Sequence, residues 1–172
     1  IRFNQIYGDT FTVPEGYIPN DTMKIMSLAE PTSKMSKSDA NQNAVVYILD
    51  SKDDILRKFK KAVTDSDACV KYSPDKPGVS NLMTIYKAFT GKSFEEIERE
   101  FDGRGYGDFK AAVGECTADG LAPVREEFAR LMADKKYLEE VMAKGAREAA
   151  HDSLRTMSKV RRKVGFTEMP RY

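Results

Sequence analysis

The stretch whose reading decides the rest is Pro31-Thr32-Ser33-Lys34-Met35-Ser36-Lys37-Ser38-Asp39. Two lysines stand three positions apart, each set among small hydroxyl residues. Ammonium groups supply point charge for phosphate oxygens. Ser33, Ser36 and Ser38 let the main chain approach a ligand closely and add donors. Pro31 stops regular structure before the segment, and the Ser, Asp and Asn residues after it favour turns, so a mobile surface loop is predicted. On composition alone, a solvated basic loop is the commoner meaning of such a string.

The neighbouring residues change that balance. KMSKS, Lys34 to Ser38, resembles the second signature of the class I aminoacyl-tRNA synthetases. Four longer strings narrow the likeness: KIMSLAEPTSKMSKSD, RKFKKAVTDSD, KPGVSNLMTIYKAFTG and YGDFKAAV, in this order between Lys24 and Val113, resemble the tryptophanyl-tRNA synthetases. Five letters arise by chance; four ordered matches hardly do.

The resemblance implies an enzyme that activates tryptophan with ATP and passes it to tRNA(Trp) through an aminoacyl-adenylate. ATP with its Mg2+ is the implied cofactor set, no metal ligands are expected in this chain, and the full-length enzyme is expected to be a homodimer. The implied fold is mainly α: a C-terminal helical bundle preceded by the last strand and KMSKS loop of a class I α/β (Rossmann-like) nucleotide-binding domain. Residues 1–43 would close that domain, and 44–172 would form the helical domain that meets the tRNA and its anticodon end. Lys34 and Lys37 are the implied catalytic residues, and Ile25, Lys34, Met35, Ser36, Lys37 and Ser38 the ATP-binding ones. A tyrosyl-tRNA synthetase relative, or a helical tRNA-binding module without catalysis, stays open.

The bulk numbers fit a soluble chain with a core. Among 172 residues, 41% are hydrophobic and 32% charged, so apolar and solvated faces can both be built. The net charge of +1 argues against a surface devoted wholly to nucleic acid, leaving local basic patches to be argued singly. Cys69 and Cys116 lie far apart, and His151 is alone, so neither a disulfide framework nor a zinc site is expected. No apolar run approaches the ~20 residues a membrane helix needs, and the expected compartment is cytoplasmic. The chain opens on Ile1 and holds no HIGH-like histidine motif, which reads as a piece of a longer protein that is inactive alone.

Along the chain, Ile1 to Tyr7 reads as the end of a helix stopped by Gly8, Phe11-Thr12-Val13 as a short strand or connector, and Lys24 to Leu28 as a strand leading into the loop. Ala44 to Leu49 is an apolar extended run. Asp50 or Ser51 caps a helix with Ile55, Leu56, Phe59 and Val63 inward and Arg57, Lys58, Lys60 and Lys61 on the outer face, solvated or against RNA backbone. Ser80 caps Asn81 to Phe89, which Gly91 closes, and Ser93 with Glu96 forms a capping box for Phe94 to Phe101. Gly103 to Gly107 is glycine-rich, but without the lysine and strand of a phosphate loop it reads as a connector.

Tyr106, Phe109, Val113, Leu121, Val124, Phe128 and Leu131 continue the bundle. Asp134 opens a long segment to Val164, with a break expected near His151-Asp152 and with Tyr137, Leu138, Val141, Met142, Leu154, Met157 and Val160 as core. Arg155, Lys159, Arg161, Arg162 and Lys163 form a basic cluster there. It is either a tRNA contact or a solvated helix end.

Overall fold

The structure, a computed structural model, describes residues 1–18 and 24–167. These are mainly α-helical, as expected. Six helices follow in order: α1 (Arg2–Tyr7), α2 (Lys52–Lys61), α3 (Pro77–Thr90), α4 (Phe94–Glu100), α5 (Tyr106–Ala133) and α6 (Lys135–Val164). None of them is long and apolar enough to cross a membrane. The chain divides into two compact units, Ile18–Phe128 and Ile1–Tyr17 with Ala129–Tyr172, and α5 runs through the division.

The unit Ile18–Phe128 holds the core. Ile55 and Phe59 of α2, Val79, Leu82 and Met83 of α3, Ile97 of α4, and Phe109 and Val113 of α5 are at most 1% exposed. The edges of Tyr86, Phe101 and Phe109 meet at 4.9 to 6.2 Å between centroids, an arrangement that suits the quadrupoles of the rings. Local chemistry fixes the ends. The Ser51 hydroxyl accepts from the Asp54 amide at the start of α2, and Ser93 and Glu96 complete the expected capping box of α4. Gly91 ends α3 at φ 73°, a left-handed position that costs glycine little.

Helix α3 starts earlier than expected. Pro77 takes its first turn, where a missing N–H costs nothing, and Ser80 lies inside the helix, accepting from the Ser73 amide and donating to the Ser73 carbonyl. Gly78 is required there by space: a Cβ would stand 2.2 Å from the Val63 carbonyl oxygen.

Three further expectations are corrected in this unit. Lys58, read as part of an outer basic face, is 3% exposed and pairs with Asp50 at 2.6 Å. The Asp50 carboxylate also accepts from the Tyr47 amide, and the ammonium lies 4.8 Å from the Tyr47 ring centroid. Lys24 to Leu28 forms no strand. It makes one antiparallel bridge, Met26 opposite Lys34, because no second strand among the described residues is there to extend the ladder. The Ala44 to Leu49 run forms no strand either: it opens on a turn closed by the Ala44 amide on the Asn41 carbonyl and ends in one closed by the Asp50 amide on the Tyr47 carbonyl.

In the other unit, α1 ends at Gly8 (φ 75°), as expected. The Phe11 segment is not a strand: its amide and carbonyl bond the Asn4 carboxamide at 3.0 and 2.7 Å, a side chain doing the work of a partner strand. Helix α6 is capped by Asp134, stopped by Gly165 and unbroken at His151-Asp152. Its expected core residues are not core. None of the residues of α6 is buried, and Met142 and Leu154 are 72% and 61% exposed, because its unit offers little besides α1 to cover a 30-residue helix. The C-terminal half of α5 is similarly open: Val124 and Phe128, expected as core, are 49% and 45% exposed.

Candidate functional site: a lysine loop with a fixed stem and an exposed tip

The stem of the loop has its backbone groups paired. The Ser27 amide bonds the Ser33 carbonyl at 2.8 Å, and the Met35 amide bonds the Ile25 carbonyl at 3.0 Å. Leu28 donates to the Ala44 carbonyl at 3.0 Å and accepts from the Val63 amide at 2.7 Å. Ser27 is 1% exposed, and its hydroxyl accepts from the Ala29 and Glu30 amides, which bends the chain toward Pro31. A carboxamide from α3 completes the set: Asn81 Oδ1 accepts from the Met26 amide and its Nδ2 donates to the Met26 carbonyl, both at 2.8 Å.

The tip is held far more lightly. The Ser36 and Ser38 hydroxyls share a 3.1 Å contact, the Asp39 amide bonds the Ser36 carbonyl, and the Tyr47 hydroxyl donates to the Lys37 carbonyl at 3.1 Å. Lys34 and Lys37 are exposed, while Met35 between them packs on the core. The stem's backbone is thus bonded on both sides, whereas the exposed tip keeps few contacts.

Of the residues expected at an ATP site, Ile25, Lys34, Met35 and Lys37 line one open groove of about 1070 Å³, together with Val46, Ile48, Val124 and Phe128. Ser36 and Ser38 are on the tip, engaged with each other. Arg155, Lys159, Arg161 and Arg162 lie along the last turns of α6, in the other unit. Their neighbour Lys163 has a structural role, donating to the Gly8 and Asp9 carbonyls at 3.2 and 3.1 Å.

Sequence reasoning missed four supporting groups: Asn81, Tyr47, the Asp50–Lys58 pair, and a staple in which Lys76 reaches Asp65 and Asp67 while the Tyr106 hydroxyl donates to Asp65. Burial works to raise the Asp65 carboxyl, but bonds from Tyr106, the Asp67 amide and Lys76 outweigh it and hold it down at about 2. Asn81 did leave a signal, a carboxamide directly before the apolar Leu82 and Met83. Tyr47 and Lys58 left none, since both types are ordinary on surfaces.

Comparisons with known proteins agree with one another. The profile of the tRNA synthetases class I (W and Y) matches residues 1–121. The chain is similar to the tryptophan–tRNA ligases of Wolinella succinogenes, 48% identical over 96% of this chain, and Clostridium perfringens, 45% identical over the same share. In both cases it spans 50% of the relative's length.

Among solved structures, it superposes on tryptophanyl-tRNA synthetase from Mycoplasma pneumoniae with a TM-score of 0.83 at 28% identity, covering 96% of this chain and 50% of that one. It also superposes on the Campylobacter jejuni enzyme complexed with ADP and tryptophan, with a TM-score of 0.68 at 26% identity, covering 96% and 50%. With the profile covering well over half of its residues, this chain belongs to the class I tRNA synthetases of the tryptophan and tyrosine type.

Proposed function

We propose that this chain is the lysine-loop half of a tryptophan–tRNA ligase, one that activates tryptophan with ATP and esterifies tRNA(Trp). The observation that carries this reading is the meeting of Ile25, Lys34 and Lys37 on one groove, in a chain 48% identical to a tryptophan–tRNA ligase. In the activating step a carboxylate oxygen of tryptophan attacks the α-phosphorus of ATP in line. The bond to the bridging oxygen breaks and pyrophosphate leaves. Negative charge builds on the departing group as the bond breaks, so cations that tighten on it only then lower the barrier.

Lys34 and Lys37 take that role, with Lys37 on the pyrophosphate. The Ile25 main chain faces the adenosine, and the Ser36 amide with the Ser36 and Ser38 hydroxyls holds the tip on the nucleotide, the Met35 amide being already bonded to the Ile25 carbonyl. Magnesium travels with the ATP and spreads the phosphate charge; no residue of this chain is assigned to ligate it. Residues 1–43 close the nucleotide-binding domain, and 44–172 meet the tRNA, with Arg155, Lys159, Arg161 and Arg162 toward its phosphates. The whole enzyme works as a cytoplasmic homodimer.

The test is ATP–pyrophosphate exchange by the full-length enzyme. Exchange should depend on tryptophan, and Lys37→Ala should slow it ~100-fold while tryptophan binding stays near its original strength, the usual size of a lost transition-state contact. Exchange driven by tyrosine instead would move the chain to the sibling enzyme. An unchanged rate in Lys37→Ala would remove the lysine from the chemistry.

A further inference from the structure

In an antiparallel pair, residues that face one another without exchanging hydrogen bonds turn their own N–H and C=O groups outward, away from the partner. Met26 and Lys34 are such a pair, because the bonds that join the two segments come from their neighbours, Ser27 to Ser33 and Met35 to Ile25. The two outward groups of Met26 therefore need a third strand, and none is present among the described residues. Asn81 supplies the equivalent. Its carboxamide has the donor and acceptor of a peptide group, and both bonds to Met26 measure 2.8 Å across 55 residues of sequence.

Asn81 is 5% exposed and sits on α3 between Leu82 and Val79, both buried in the core. That packing denies the side chain the freedom that a surface asparagine would have. Helix α3, with eight buried residues, thus fixes the register of Met26, and Met26 faces Lys34. We propose that Asn81 is a positioning residue for the lysine loop, one that holds the stem so that Lys34 and Lys37 meet the leaving pyrophosphate in one orientation. This rests on the reading of the lysines given above.

The geometry separates its role from ordinary core stability. A misplaced stem weakens a contact made in the transition state, where a small displacement costs rate more than ground-state binding. The experiment uses the full-length enzyme with Asn81→Leu, close in size but unable to bond the Met26 backbone, in wild-type and Lys37→Ala backgrounds. Val113→Ala, which removes core volume on α5 without touching the Asn81 carboxamide bonds to Met26, serves as a destabilised control.

Asn81→Leu should lower kcat of tryptophan-dependent pyrophosphate exchange ~10-fold or more while the KM for ATP moves less than ~3-fold. In the Lys37→Ala background the same change should cost a smaller factor than in the wild type, since residues acting through one another are not additive. Amide exchange at Met26 should speed up in Asn81→Leu alone. The proposal is overturned if the two losses multiply, if KM rises with kcat intact, or if Val113→Ala costs as much rate at equal thermal stability. Failure of the functional reading would look different: Lys37→Ala itself would leave exchange unchanged.

Discussion

Helices α3 and α6 carry the same signal in the sequence, apolar residues at helical spacing, yet they end in opposite surroundings. Eight residues of α3 are buried, and none of α6 is. The difference teaches that periodicity reports which face of a helix prefers cover, while the cover itself depends on what the rest of the chain brings near. Around α3 the chain returns three times, with α2, α4 and the first half of α5 contributing to one core. Around α6 its own unit offers little.

Four substitutions break or sharpen this contrast, and denaturant titration reads all of them. The largest effect belongs to Lys58→Ala on α2, which leaves Asp50 without its partner in a site where both side chains are largely hidden; a loss of about 3–5 kcal/mol is expected. A loss under ~1 kcal/mol would put Lys58 back on the solvated face where its sequence suggested it belonged.

Next comes a matched pair, Leu82→Ala on α3 and Leu154→Ala on α6. The first should cost about 2–5 kcal/mol through lost burial and a cavity. The second should stay within about 0.5 kcal/mol, as an exposed position does. A cost for Leu154→Ala above about 1 kcal/mol would show α6 to be covered and erase the contrast with α3.

The smallest effect is pH-dependent. The Asp65 carboxyl titrates at about 2 in the folded chain against 3.8 for a free side chain, so it adds stability that is fully present above 3.8 and fades as pH falls toward 2. Asp65→Asn should therefore lower stability at pH 5 more than at pH 2.5. Equal losses at both values would show that the staple with Lys76 and Tyr106 has no ionic part.

Much of this was legible in the sequence, and the exceptions have physical causes. The helix ends at Gly8, Ser51, Gly91, Ser93, Asp134 and Gly165 were readable because capping is decided within a few residues. The loop itself was readable because its lysines and serines are contiguous. What stayed hidden depends on pairs far apart in the chain: the Asn81 carboxamide against Met26, Lys76 against Asp65, and the Tyr47 hydroxyl on the Lys37 carbonyl. The strand expected at Lys24 to Leu28 shows the same limit from the other side. Its apolar residues suit a ladder, but a ladder needs partners, and a single bridge with an asparagine is what the described residues provide.

The close approach of Gly78 to the Val63 carbonyl also reaches the loop. Val63 accepts no side chain at that point, and its own amide holds the Leu28 carbonyl at the foot of the stem. One methyl group added at residue 78 would push this peptide away from α3 and carry Leu28 with it. The hydrogen atom in place of a side chain at position 78 is thus a spacer setting, fixing how close the Val63 peptide, and Leu28 bonded to it, can stand to α3.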